Sequence, residues 1–402
     1  MASVEADRSY RALLRVPTIA RVLLGMQVAR IAQSMVNVAM VLFTLTVYDS
    51  AVLAGLVAVA LALPGIIFSP IAGALLDRHG RMRLVTIDYG LAASSLALIA
   101  VLALAGRLPA WLLLSIAAVS SLTSPLSTAG LRSLLPMLVP PPLWERANAA
   151  DSVGYVLATV VGPPLAGIIV QVWGPAAALG AIGGIFVVAV LIMAGIPEPP
   201  IGAGSSGRLW FDAWQGLVYT WRNRTLRGLG FSVGALNIVW GVNTIVVPLI
   251  VLERLHGGPA LVGAIFAAQG IGGVVSSMLA GRLDTRGRER RMIVLPTLGS
   301  GILVSLLLID AGLLPVVLVV VLFGVINGPL DVAMFTLRQR RTDPAWMGRA
   351  FAVSMSFNYL GFPIGSGLAG LLAASSLNAA ILVAVGASAI AALAAATLIP
   401  RD

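Results

Sequence analysis

The sequence predicts an all-α polytopic membrane protein, with twelve transmembrane helices in two parallel six-helix repeats around a central cavity. Three observations predict it. Of 402 residues, 59% are hydrophobic and only 10% charged, where a soluble domain carries about a quarter. Apolar side chains must therefore face something other than water. Charge-free runs reach membrane length: residues 50–76 are 27 without Asp, Glu, Lys, Arg or His, and 228–252 and 257–281 are 25 each. Roughly 20 apolar residues suffice for one crossing. Finally, a charged nine-residue pattern occurs twice, at 73–81 and 280–288, with its aspartates Asp77 and Asp284 lying 207 residues apart.

The helices follow in order at 19–46, 51–76, 83–105, 109–135, 148–172, 176–196, 228–252, 259–281, 291–310, 313–337, 350–373 and 377–399. Two longer runs each hold a pair of crossings, broken at Trp173-Gly174-Pro175 and near Ser375-Ser376-Leu377-Asn378. Ten-residue alternating strands, the mark of a barrel, do not occur. Met1 to Pro17 is polar and arginine-bearing, and the first apolar segment is too long for a signal core, so no cleavable signal is expected. The absence of cysteine excludes disulfides, thiol catalysis and thiolate metal sites. His79 and His256 fall in separate loops, so no metal or other cofactor is expected.

Orientation comes from the arginines, which supply all 26 basic residues. With an even helix count both termini share a side. That side collects 23 arginines and the other keeps Arg107 and Arg254, with Arg30 inside helix 1. The positive-inside rule then places both termini in the cytoplasm, for a multi-pass protein of the cytoplasmic (inner) membrane. It also explains the net charge of +10 without nucleic acid, since no loop is large enough to carry a nucleic-acid-binding module.

The repeat extends beyond the charged pattern. Arg146 and Arg349 precede helices 5 and 11 at an offset of 203, and Leu165-Ala166-Gly167 and Leu368-Ala369-Gly370 repeat at the same offset. Six helices separate each matched pair, so the repeats are parallel, related by an axis along the membrane normal. The expected divisions are 1–196 and 228–402 for the two bundles, with a cytoplasmic linker over 197–227. The linker opens Pro197-Glu198-Pro199-Pro200 and a Gly/Ser run, read as a flexible connector. Trp210, Trp214, Leu217, Val218 and Trp221 then recur at helical spacing, as in an amphipathic helix lying at the membrane surface.

The pattern Gly73-x-Leu75-x-Asp77-Arg78-x-Gly80-Arg81 resembles the signature between helices 2 and 3 of the major facilitator superfamily, matching every fixed position. The second copy is degraded: Ala280 and Arg282 replace the first glycine and the leucine, while Asp284, Gly287 and Arg288 remain. A narrower resemblance, to the branch of macrolide and siderophore exporters, rests on Leu134-Leu135-Pro136-Met137-Leu138-Val139-Pro140, Arg146-Ala147-Asn148-Ala149, Gly162-Pro163-Pro164-Leu165-Ala166-Gly167 and Gly348-Arg349-Ala350-Phe351. Gly162-Pro163 only partly matches the antiporter motif of helix 5, since Ala158 stands where a glycine is expected.

The resemblance implies a secondary transporter working by alternating access. It implies that Asp77 docks near the start of helix 11, at Gly348-Arg349, and holds the cytoplasmic side closed. It also implies that helices 1, 4, 7 and 10 line the cavity. Their polar residues are then the substrate candidates: Arg30, Gln33 and Asn37; Ser124 and Ser127; Asn237, Trp240 and Asn243; and Asn327. Charges inside the hydrocarbon span are functional by default. Asp331 in helix 10 is thus the candidate proton-coupling acid, and by depth it can pair with Arg30. Asp88 and Asp151 read as partners of loop arginines. No phosphate loop for ATP occurs, so a gradient must supply the energy. The expected activity is efflux of a small amphipathic molecule by proton antiport, from a monomer in the lipid bilayer. Uptake of a small metabolite and a non-transporting sensor or scaffold are the alternatives.

Overall fold

The computed structural model describes residues 9–198, 209–282, 285–310, 312–343 and 346–400. A short helix, α1 (Tyr10–Arg15), precedes six long ones: α2 (Ile19–Val47), α3 (Ala51–His79), α4 (Arg81–Leu104), α5 (Ala110–Leu138), α6 (Trp144–Trp173) and α7 (Pro175–Met193). After α8 (Leu209–Arg222), a second six follow: α9 (Arg224–Leu249), α10 (Pro259–Ala280), α11 (Glu289–Ser305), α12 (Leu313–Arg341), α13 (Met347–Ala373) and α14 (Leu377–Leu398). Among the described residues eleven helices are long and apolar enough to cross a membrane. At 27 residues, α13 is a twelfth of the same length.

Within the first bundle α3 packs on α5, α4 on α7, and α2 on α6 and α7; the second repeats this with α9 on α13 and α14, α10 on α12, and α11 on α14. The bundles meet through two pairs, α3 with α13 and α6 with α10. Lipid offers no hydrophobic drive between helices, so close packing of small residues must hold such seams. Glycine supplies it here. A Cβ on Gly55 would sit 2.5 Å from the Ser366 carbonyl oxygen, and one on Gly370 2.6 Å from that of Ala51.

These contacts lie away from α8. The first core takes in Val247, Val251, Val262, Ile265 and Val320 of the second bundle, and the second core takes in Val41, Leu45 and Ala54 of the first. All sit toward the helix ends on the far side from α8. The small clusters on the α8 side, Leu13-Ile19-Leu135-Val139 and Ala72-Leu76-Leu126, stay within one bundle. Among the described residues, the cores shared by both bundles thus lie on the far side from α8.

The sequence reads a loop between helices 2 and 3. Instead α3 continues through Asp77, Arg78 and His79, α4 starts at Arg81, and the whole reversal falls on Gly80. Its φ of 90° is one that a side chain would strain, which is why the turn can be so short. The second copy is longer: α10 ends at Ala280 and α11 starts only at Glu289.

The linker helix holds the second bundle. The Tyr219 ring stacks on Trp346 at 5.0 Å, its hydroxyl accepts from the Asp343 N–H at 3.0 Å, and the Asn223 side-chain amide donates to the Arg341 carbonyl at 2.8 Å. Trp214 and Trp221, two turns apart, point outward and are exposed. One face therefore braces the α12–α13 turn, and the other is free to lie on lipid.

Candidate functional site

At the signature turn Arg78 is exposed and Arg81 half-buried. Of Gly73 and Asp77 the structure describes only the helical backbone, and Asp284 lies outside the described residues. In the second copy Gly287 has a φ of 69°, and Arg288, exposed, precedes α11.

The turn has a partner that sequence reasoning missed. Gly80 offers no capping side chain to α4. Glu198, just beyond α7, supplies one: its Oε1 accepts from the Arg81 N–H at 2.7 Å and its Oε2 from the Arg83 N–H at 3.1 Å. This places a carboxylate at the positive end of the helix dipole. The opening of the linker is therefore anchored at Glu198, while the Gly/Ser run that the sequence reads as a flexible connector lies outside the described residues. The acid lies 117 residues from the turn it caps, so no local pattern announces it.

Arg30 is paired, and not with Asp331. Its Nη2 donates to Asp151 Oδ1 at 2.6 Å and its Nη1 to the Asp151 carbonyl at 2.9 Å. The two side chains are only 12% and 15% exposed, and the guanidinium lies 6.0 Å from the centre of the Tyr155 ring. The geometry follows from α2 and α6 being neighbours in one bundle. Asp331 belongs to the other bundle, across the opening. Asp151 thus holds an arginine from within a helix, where the sequence suggests a loop arginine. Asp88 also departs from that reading: it is 3% exposed, with the hydroxyls of Ser127 and Thr123 as hydrogen-bond partners.

The remaining cavity candidates divide. Gln33, Ser124, Asn237 and Trp240 are half-buried, and Asn37 is exposed. The Asn237 amide donates to its own helix at Val233, and Trp240 meets Phe323 of α12 edge to face at 5.0 Å. Asn243 is 5% exposed, and its Oδ1 has no hydrogen-bond partner among the described residues. Two further candidates are buried. Ser127 is 2% exposed and faces Asp88 within its own bundle. Asn327, 4% exposed, donates to the Phe323 carbonyl at 2.7 Å and toward the Ser300 hydroxyl of α11 at 3.4 Å.

Asp331 lies about one turn further along α12. The residue is exposed, and it lies about 180° around α12 from the exposed Leu322, nine residues earlier. Gly324 and Gly328, on the same stripe as Asp331, press against Gln269 and Ser276 of α10. Arg338, two turns further on, reaches α13. Asp331 is thus an exposed acid on the stripe of α12 that packs on α10.

Arg338 lies near the C-terminal end of α12. It is 0% exposed. Its Nη1 contacts Met355 Sδ at 2.7 Å and it lies 5.8 Å from the Phe335 ring centre. With the Asn358 amide oxygen turned toward it, Nη2 donates there at 2.7 Å, while Asn358 donates to the Ser354 carbonyl at 3.1 Å.

Comparison with known proteins agrees with this geometry. A family model described as a transmembrane secretion effector matches residues 9–401. An uncharacterized MFS-type transporter of Sinorhizobium fredii, y4rN, is 37% identical over 405 residues, covering 99% of each chain. Macrolide efflux protein A of Streptococcus pyogenes is 23% identical over 360 residues, covering 87% of each. The crystal structure of a mutant of the nucleoside transporter NupG has a TM-score of 0.78 at 12% identity, covering 94% of this chain and 100% of the other, which shows a shared fold.

Proposed function

The chain belongs to the transmembrane secretion effector family of MFS-type transporters, and from that premise we propose that it exports a small amphipathic molecule across the cytoplasmic membrane by proton antiport. The membership makes it a membrane transporter of small molecules, with an efflux protein among its relatives. Export and a proton drive are the further step.

The observation that carries the step is Asp331, an exposed carboxylate within a membrane-length helix, while Arg30 is held by Asp151. An acid that meets water in one state and a closed, dry cavity in the other changes its proton affinity with the access state. Coupling requires that alternation. On this reading the arginine asymmetry puts α8 and both termini in the cytoplasm, and the described state is taken as open inward. The far-side glycine seam must part in the outward state, and the Asp77 turn then closes the cytoplasmic side against the start of α13. Substrate contacts fall to Gln33, Asn37, Ser124, Asn237 and Trp240. The protein works as a monomer, since each chain contains both bundles and the cavity.

The test is accumulation by everted membrane vesicles under an imposed acid-inside pH gradient, with a compound panel that begins with macrolides. Export predicts that the gradient drives accumulation. Asp331→Asn should retain below about one tenth of it, the size expected when a charged group central to coupling is neutralised. Wild-type accumulation by that variant places the coupling acid elsewhere. Accumulation only by right-side-out vesicles reverses the direction.

A further inference from the structure

We propose that Glu198 is a positioning residue for the signature turn, holding the α3–α4 reversal in the geometry from which Asp77 reaches the second bundle. The inference rests on the gating reading of that turn, and adds a residue outside it.

The carboxylate accepts from two backbone N–H groups of the first turn of α4, at Arg81 and Arg83. Those groups have no partner of their own in an α-helix, and the residue before them, Gly80, has no side chain to offer. A side chain at Gly80 would also have to displace the carboxylate. A Cβ on Gly80 would lie 2.6 Å from Glu198 Cδ and 2.8 Å from its Oε2. The carboxylate occupies the place of a side chain at the turn, so Gly80 and Glu198 form one unit.

The carboxylate is held from its own side as well. Ile196 is buried, which ties the chain down two residues earlier. Glu198 stands between Pro197 and Pro199, and a residue before proline is confined to extended backbone. The end of α7, the start of α4 and the reversal out of α3 are thereby fixed to one another.

The second bundle supplies a control within the same chain. At the offset of 203, Ile196-Pro197-Glu198 corresponds to Ile399-Pro400-Arg401. Arginine has no acceptor and cannot cap N–H groups. The copy that lacks the acid is also the degraded one, with Ala280 and Arg282, and its α10–α11 connection is a long segment instead of a single glycine. The acid thus accompanies the intact, one-residue reversal and is missing from the loosened one.

The test uses the full chain in lipid nanodiscs. The native sequence has no cysteine, so spin labels at Ala129→Cys and Gln339→Cys, exposed sites toward the α8-side ends of α5 and α12, report the opening alone. Glu198→Gln keeps the shape but turns an NH₂ group toward one of the two N–H donors. Hydrogen exchange at the Arg81 and Arg83 amides should accelerate about fivefold, the size of a lost cap. The population closed on the α8 side should fall by a similar factor, with the thermal midpoint unchanged. Faster exchange with an unchanged closed population would make the cap merely local and overturn the proposal. Unchanged exchange would overturn it too. Asp77→Asn separates the two ideas: if it shifts the closed population and Glu198→Gln does not, the positioning role fails and the gate stands. If Asp77→Asn leaves the population unmoved, the gate reading itself fails. Should Glu198→Gln not fold, Glu198→Asp keeps both acceptors on a shorter arm. A wild-type closed population beside accelerated exchange in that variant would equally overturn the proposal.

Discussion

The two bundles each bury an arginine against the same part of the repeat, but with different chemistry. In the first, Arg30 from α2 is held on α6 by Asp151 and faces Tyr155. At the offset of 203 these two positions become Ser354 and Asn358 on α13. There the arginine is Arg338, delivered by α12, and it rests on the Asn358 amide and Met355. One socket neutralises its guanidinium with a carboxylate; the other solvates its guanidinium with an amide and a thioether. The repeat therefore conserves a place for a cation without conserving its source or its counter-charge. On α12 the second bundle carries an acid of its own, Asp331, which stands exposed. The first bundle thus pairs its arginine with an acid and keeps the one-residue turn, while the second holds its arginine with neutral groups and has a longer turn.

The largest effect that can break this comparison lies at the gate. Asp77→Asn should slow transport about tenfold in proteoliposomes while substrate binding survives, the loss expected for one charged contact of a closed state. Asp284→Asn, in the degraded copy, should change the rate less than about twofold. Equal effects would mean that the two turns work alike despite their different lengths, and that the asymmetry between the bundles is decorative.

The second effect is on stability. Arg30→Ala leaves the Asp151 carboxylate, only 15% exposed, without its cation. Stranding one partner of a buried pair costs about 3 kcal/mol. The thermal midpoint in detergent should fall by several degrees, and Arg30→Ala/Asp151→Ala should recover most of the loss. A double variant as unstable as the single one would show that Arg30 acts through packing rather than charge.

What was legible in the sequence follows from what is local. Charge-free runs and the paired signature gave all twelve spans, because a helix in lipid satisfies its backbone alone and needs only length and apolarity. Asp331 was legible for a similar reason: one charge in an apolar run stands out. Pairings were not, because they depend on which helices become neighbours. By depth Arg30 fits Asp331, yet α2 lies beside α6. Arg338 looks like a loop residue from its run with Arg340 and Arg341, and only the extension of α12 to Arg341 buries it. Glu198 was hidden by distance, although Ile-Pro-Glu at the end of one repeat against Ile-Pro-Arg at the end of the other was a usable signal.

The smallest effect sharpens the socket comparison directly. If a neutral socket holds its arginine more weakly than an ionic one, Asn358→Ala should cost less than Arg30→Ala. One hydrogen bond to a charged group is lost, about 1.5 kcal/mol, and the Met355, Phe335 and Tyr359 contacts of Arg338 remain. Asn358→Asp then rebuilds in the second bundle the counter-charge of the first. The new carboxylate would sit where the amide oxygen now accepts from Nη2 at 2.7 Å, so its charge enters a site already shaped for it. Thermal unfolding should place Asn358→Asp at or above the wild-type midpoint, with Asn358→Ala a few degrees below. If Asn358→Ala falls as far as Arg30→Ala, the amide serves Arg338 as fully as the carboxylate serves Arg30. The difference between the bundles would then lie in Asp331 and the gate turn alone.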